Sequence, residues 1–302
     1  MAVDRRSFLK GVAAAGAAGV ASASPVKAAR PRKTAPADAR GMLYDTTLCI
    51  GCKACVRACK EANDLPADTR LEGMDALYDA PTDLNEYTKN IIKLYQDPEN
   101  ANRRSYVKRQ CMQCIDPACV GACMIGAFQK REYGIITWDP SRCVGCRYCQ
   151  MACPFGIPKF EWASTNPYII KCEYCKQRKG DKQWEPACCE VCPREAVIAG
   201  THEELLQEAK RRLEANPDKY YPKIYGEKDL GGTQVLYLSH VPFDKLGFKF
   251  DDEEPVPELQ QTIQHGVYQG FIAPAALYAL MGAVIWRNKR QNAKEEGKEE
   301  QA

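Results

Sequence analysis

Sixteen of the seventeen cysteines in this 302-residue chain fall into four groups of four. The groups are Cys49, Cys52, Cys55, Cys59; Cys111, Cys114, Cys119, Cys123; Cys143, Cys146, Cys149, Cys153; and Cys172, Cys175, Cys188, Cys192. In every group three residues separate the third cysteine from the fourth. A cubane iron–sulfur cluster takes four thiolates, and the run C-x2-C-x2-C-x3-C-P supplies three to one cluster and the fourth to its neighbour. Sixteen ligands make four [4Fe–4S] clusters, and four clusters make a path for electrons.

Blander chemistries fit less well. Disulfide frameworks belong to small domains short of core, and three sulfurs crowded into C-x2-C-x2-C hinder separate pairing. Zinc knuckles also use C-x2-C, but groups one and three carry further cysteines that zinc does not need. Pro154 and Pro193 directly follow the last cysteines of groups three and four, as the cluster run requires. No C-x-x-C-H occurs for haem attachment, and there are only three histidines, His202, His240 and His265. Of the adjacent pair Cys188 and Cys189, only Cys188 keeps the three-residue gap before Cys192. Cys189 is therefore expected to be a buried free thiol.

The elements that must hold these loops are partly repeated. Tyr44-Asp45-Thr46-Thr47-Leu48-Cys49-Ile50-Gly51-Cys52-Lys53 and Trp138-Asp139-Pro140-Ser141-Arg142-Cys143-Val144-Gly145-Cys146-Arg147 share aromatic, Asp, Cys, aliphatic, Gly, Cys and base in order. The glycine suits a backbone wrapped closely round a cluster. Runs 41–44 and 134–138 read as strands leading into the two loops. Strand, cluster loop and short helix is half of a two-cluster ferredoxin, so two such modules are expected. Spacing does not show which groups pair; groups two and three lie close enough to form an inner module inserted between groups one and four. The expected fold is α+β: two ferredoxin-like [4Fe–4S] modules, one inserted in the other, plus a single C-terminal transmembrane helix.

Both ends read as membrane-related. Asp4-Arg5-Arg6-Ser7-Phe8-Leu9-Lys10, an uncharged Ala/Gly-rich run, and Val26-Lys27-Ala28 read as a twin-arginine signal peptide over residues 1–28. That route exports folded proteins, which suits clusters assembled in the cytoplasm. Gly266 to Trp286 is 21 residues without a charge, long enough at about 1.5 Å per residue to cross about 30 Å of hydrocarbon. Arg287, Lys289 and Arg290 follow it and place the C-terminus in the cytoplasm, with the iron–sulfur domain in the periplasm. The expected boundaries are 29–106 with 166–200 for the outer module and 107–165 for the inner. A C-terminal extension over 201–264, a membrane helix over 265–287 and a tail over 288–302 complete the chain.

Between these landmarks, 60–108 reads as a surface insertion, with a strand expected over 90–95. Further strands are expected over 196–200 and 233–238. Thr201 and Glu204 form a capping box that opens a helix running to about Ala215, before Pro217. Lys108, Arg109 and Lys171 stand near the cysteines and could offset cluster charge, although ordinary solvated surface is the simpler expectation. The net charge of +3 is too small to suggest nucleic acid. No catalytic constellation appears. Asp116-Pro117-Ala118-Cys119 superficially matches a nickel-ligand motif, but it lacks the adjacent Pro-Cys.

The four-group pattern resembles the four-cluster iron–sulfur subunits of the formate dehydrogenase and dimethyl sulfoxide reductase group. Several stretches are similar to the hydrogenase-2 iron–sulfur subunit (HybA) type: Gly41-Met42-Leu43-Tyr44-Asp45, Gly145-Cys146-Arg147-Tyr148-Cys149, Leu230-Gly231-Gly232-Thr233-Gln234-Val235-Leu236 and Ile263-Gln264-His265. The resemblance implies a pairing. Cys49, Cys52 and Cys55 would share a cluster with Cys192, and Cys172, Cys175 and Cys188 with Cys59. Cys111, Cys114 and Cys119 would go with Cys153, and Cys143, Cys146 and Cys149 with Cys123. Met124 departs from the family pattern, which has proline after Cys123. The resemblance also implies a non-catalytic relay between the small and large subunits of a periplasmic nickel–iron hydrogenase and an integral membrane quinone-interacting subunit, with His265 at the edge of the span. Two alternatives stand beside it: the same relay serving a molybdopterin enzyme such as formate dehydrogenase, and a zinc-stabilised membrane scaffold without redox chemistry.

Overall fold

Alternate residues of the first strand, β1 (Arg40–Asp45), face opposite sides, as a pleated strand requires, and so divide the interior. The computed structural model describes residues 32–67, 83–98, 104–164, 167–178, 184–248, 253–257 and 272–299, with side chains of the last segment described for 277–290. The expected leader and cleavage site, much of the 60–108 insertion, His265 and residues 266–271 of the expected span lie outside the described residues. The chain divides into Met1–Arg32, of which only Arg32 is described, and Lys33–Ala302.

On one side of β1, Met42 and Tyr44 join the largest apolar cluster, together with Ile91, Val107, Tyr174, Val235, Tyr237 and several cysteines. On the other, Leu43 packs with Leu205, Ala209, Leu236 and Leu238. β1 pairs antiparallel with β8 (Val197–Thr201) and parallel with β9 (Val235–Leu238), giving the order β8-β1-β9. Helix α5 (His202–Ala215) covers the Leu43 face. It opens at the expected box, with Thr201 and Glu204 each satisfying the other's backbone N–H. Leu205 and Ala209, one turn apart, are its buried residues.

The other elements carry the cysteine loops. β1 leads through the first loop into α1 (Ala54–Glu61). A hairpin, β2 (Asn90–Gln96) with β3 (Arg104–Gln110), leads into the second loop and α2 (Ala118–Gly121). The hairpin β4 (Phe128–Lys130) with β5 (Ile136–Trp138) leads through the third loop into α3 (Tyr148–Ala152). The short pair β6 (Lys159–Phe160) and β7 (Ile169–Ile170) precedes the fourth loop and α4 (Ala187–Glu190). Helix α1 packs on α4, and α2 on α3.

One expectation needs correction. The later part of 60–108 is not all surface: Asn90, Ile91, Ile92, Ser105, Val107 and Lys108 are buried. Some of the polar side chains that the hairpin buries have partners that hydropathy alone does not show: Asn90 Nδ2 donates to Cys55 O and Lys108 Nζ to Gln110 Oε1. The extension after 200 contributes to the central sheet. β9 lies beside β1, and its approach is stitched to the second cysteine loop by Ile115 N–H to Gly232 O, Gln234 N–H to Gln113 O and Val235 N–H to Met112 O.

The last helix, α6 (Ile272–Glu299), is exposed over 277–290. Among the described residues no helix is long and apolar enough to cross a membrane.

Candidate metal centres

The repeated cysteine loops are repeated in backbone. In the first, Gly51 (φ 72°) and Lys53 (φ 56°) are left-handed; in the third, Gly145 (φ 71°) and Arg147 (φ 65°) match them. Lys53 and Arg147 each stand at the N-cap, so each loop turns straight into its helix. On α1, Cys55 and Cys59 lie one turn apart on one face.

Groups two and four form a second related pair that the sequence reading passed over. Pro117-Ala118-Cys119 and Pro186-Ala187-Cys188 each open a four-residue helix from an extended proline. Cys123 and Cys192 follow these helices at the same distance. The signal was present as Pro-Ala-Cys-x3-Cys. It places Cys189 opposite Val120, an apolar position.

Electrostatic proximity shows which thiols meet. Cys49 faces Cys192 and Cys52, and Cys55 faces Cys49 and Cys192. A cavity lined by Tyr44, Cys49, Cys52, Cys55 and Cys192 lies among them. Cys172 faces Cys59, Cys188 and Cys175. Cys114 faces Cys153, Cys111 and Cys119, while Cys149 faces Cys123, Cys143 and Cys146. The sixteen thiols thus gather as four quartets, each drawing three members from one group and one from another.

Within each module the two quartets also face one another. Cys55 faces Cys188 across the first two, and Cys119 faces Cys149 across the last two. Tyr174, fully buried, faces Cys172 and Cys188 of one module and Cys111 of the other. The resulting order runs from the Cys49 quartet through the Cys59, Cys111 and Cys143 quartets. Cys52 and Cys146, in the two terminal quartets, are the exposed cysteines among the seventeen.

The surroundings suit thiolates bound to a cationic core. The Cys123 sulfur accepts from Ala127 N–H (3.2 Å) and Phe128 N–H (3.5 Å), and Cys192 accepts from Ala196 N–H (3.3 Å). Cys49 accepts from Gly51 N–H (3.5 Å). Such donors stabilise negative sulfur and help to set cluster potential. As thiols, these groups resist ionisation: burial and then crowding push Cys59 and Cys149 up to about 12. A bound metal reverses this, because a coordinating thiol is deprotonated outright. Among the described residues no three such groups close on the spacing of a single ion. A cubane has no such requirement, since each thiolate binds its own iron.

Cys188 is the exception. The Cys189 S–H donates to it and Lys108 stands beside it, and together they hold Cys188 below its ordinary range. Cys189 is buried and pushed up by the same contact. Lys108 and Lys171 correct the solvated-surface expectation: both are buried, while Arg109 is half-buried. Lys171 donates to Ile136 O and to Cys172 O (3.1 Å). Asp116 accepts from Lys33 Nζ at 2.7 Å.

The family model of a 4Fe-4S dicluster domain matches residues 103–202, which include the second, third and fourth groups. The Hydrogenase-2 operon protein HybA of Escherichia coli O157:H7 is 36% identical over 96% of this chain and 97% of its own length. The iron-sulfur subunit of nitrate-inducible formate dehydrogenase from Escherichia coli K12 is 34% identical over 66% of this chain and 67% of its own. The formate dehydrogenase iron-sulfur subunit of Haemophilus influenzae is 30% identical over 80% and 77%.

Proposed function

This chain belongs to the HybA family of iron–sulfur electron-transfer subunits, which are not catalytic, and on that premise we propose that it carries electrons through four [4Fe–4S] clusters. The ligand sets are the four quartets: Cys49, Cys52, Cys55 and Cys192; Cys59, Cys172, Cys175 and Cys188; Cys111, Cys114, Cys119 and Cys153; Cys123, Cys143, Cys146 and Cys149. The observation that carries the reading is the gathering of the sixteen thiols as four quartets, with the exposed cysteines, Cys52 and Cys146, in the first and the last. Each cluster supplies one-electron chemistry when bound; the chain supplies spacing, hydrogen bonds to sulfur and exclusion of water.

The electron source is a periplasmic nickel–iron hydrogenase and the acceptor an integral membrane quinone-interacting subunit. The hydrogenase named in the HybA relative supports the first. The Arg5-Arg6 pair ahead of an uncharged Ala/Gly-rich run supports a periplasmic site. A helix through Gly266–Trp286 is the tether; Leu277, Leu280, Met281, Val284, Ile285 and Trp286 stand exposed on its described part, apolar surface that a bilayer would cover. The nested modules are supported by the packing of α1 on α4 and α2 on α3.

Iron and sulfide analysis of the anaerobically purified chain tests the clusters: about sixteen iron atoms are expected from four cubanes, and zinc in their place would overturn the relay. Deleting 266–302 tests the tether. Quinone reduction by the assembled complex should fail while artificial-dye reduction persists; surviving quinone reduction would refute it. The likeness to formate dehydrogenase iron-sulfur subunits favours one second reading, in which a molybdopterin enzyme is the source. A molybdopterin subunit co-purifying in place of a nickel–iron pair would establish that reading.

A further inference from the structure

Lys108 lies on β3, the strand that leads into the second cysteine loop. It is fully buried, and its Nζ donates to Gln110 Oε1. Gln110 is itself buried and anchored by Nε2 to Met42 Sδ at 3.1 Å. The Lys108 carbonyl accepts from Tyr237 O–H at 2.8 Å, which fixes the strand beneath the ammonium.

A buried ammonium is costly unless negative groups face it. Those that face Lys108 are sulfurs: Cys188, Cys55, Cys172 and Cys59, and it reaches Cys188 itself. Cys55 belongs to one outer quartet and the other three to the second. The inner quartets have a different cation, since Lys171 faces Cys119. The strand entering the inner module therefore carries its lysine to the outer pair of sites. Lys171, placed directly before the outer group's Cys172 and donating to its carbonyl, faces the Cys119 sulfur of the inner module.

Resting on the four-cluster reading above, we propose that Lys108 sets the potentials of the two outer-module clusters selectively, as one buried charge shared between them. In each hop one electron leaves a reduced cluster and enters its oxidised neighbour; no bond or proton moves. The acceptor's negative charge grows by one and the donor's falls by one. A fixed positive charge favours the reduced, more negative state of the clusters it touches, so Lys108 makes the outer pair easier to reduce and leaves the inner pair unchanged.

The test uses the full chain, purified anaerobically with its clusters, and two neutral variants. Lys108→Met removes charge and donor; Lys108→Gln removes charge but can still donate to Gln110. Redox titration followed by electron paramagnetic resonance should show a subset of the clusters shifted negative in both. The shift is at least tenfold in the one-electron reduction equilibrium, or about 59 mV. Lys171→Met should shift a different subset. If neutralisation instead expels iron, loss confined to part of the complement in both variants supports the same role. Unchanged potentials in both variants, an equal shift of all clusters, or loss of all iron would overturn it. An iron-free wild-type chain would sink the cluster reading instead, so the two failures are distinguishable.

Discussion

Adding one methyl group at Gly51 and at Gly145 should have very different consequences, although the two glycines occupy the same place in the repeat. Both are left-handed, at φ 72° and 71°, so either alanine carries the conformational cost of that region, about 1–2 kcal/mol. The neighbours differ. A Cβ on Gly145 meets Pro167 Cγ at 3.2 Å, which a few tenths of an ångström would relieve. On Gly51 it falls 2.6 Å from Tyr106 Cδ1 and 2.7 Å from Cζ, inside the ring's own volume. Tyr106 cannot simply swing away, because its side chain packs against the main apolar cluster. Such overpacking adds about 1–3 kcal/mol. Expressed in the unfolding rate, that difference is about 5- to 150-fold. The assay is the half-life of visible cluster absorption at fixed temperature or denaturant, because cluster loss is irreversible and a rate is the proper measure. Gly51→Ala should bleach faster than Gly145→Ala by that factor. Combining Gly51→Ala with Tyr106→Leu should recover most of the difference as a favourable coupling. Equal half-lives for the two alanine variants, or no coupling with Tyr106→Leu, would refute the steric argument.

Two further outcomes concern the α5 face. Asp45 is fully buried and accepts from Tyr220 O–H at 2.8 Å and Thr47 N–H at 2.9 Å, with Arg212 Nη1 at 3.4 Å. Tyr220→Phe should cost about 1.5–3 kcal/mol, the range for a hydrogen bond to a charged group; a loss below about 0.5 kcal/mol in denaturant unfolding would mean that Arg212 closes in to compensate. Glu208 accepts from Arg211 and Arg212, each through Nε at 2.7 Å, and is held down to about 2 against an ordinary 4.5. Its contribution is therefore complete above pH 4.5 and lost as pH falls through about 2. The stability gap between wild type and Glu208→Gln should close over that interval and shrink in high salt. A gap independent of pH would contradict it.

The sequence by itself determined what is local. A C-x2-C loop followed by a short helix depends on a few consecutive residues, so the four cysteine groups, the repeated Gly-Cys-base turn and the Thr201–Glu204 box were all legible there. The three-residue gap before Cys192, kept by Cys188 and not by Cys189, is likewise a local feature. Other features were not legible because their causes lie far along the chain. Cys192 meets Cys49 only because β8 pairs with β1. β3 was missed because it buries Lys108 and Gln110, which pair with each other, and hydropathy does not show that pairing. Lys108 and Lys171 read as surface charges, since no local pattern announces that sulfurs will surround an ammonium. Gly51 and Gly145 look alike in sequence and differ only by what packs against them, Tyr106 in one case and Pro167 in the other. The grouping of the cysteines follows from spacing along the chain. Which thiols share a site, and which charge faces them, follows from packing, where burial removes the water that would otherwise screen each group from its neighbours.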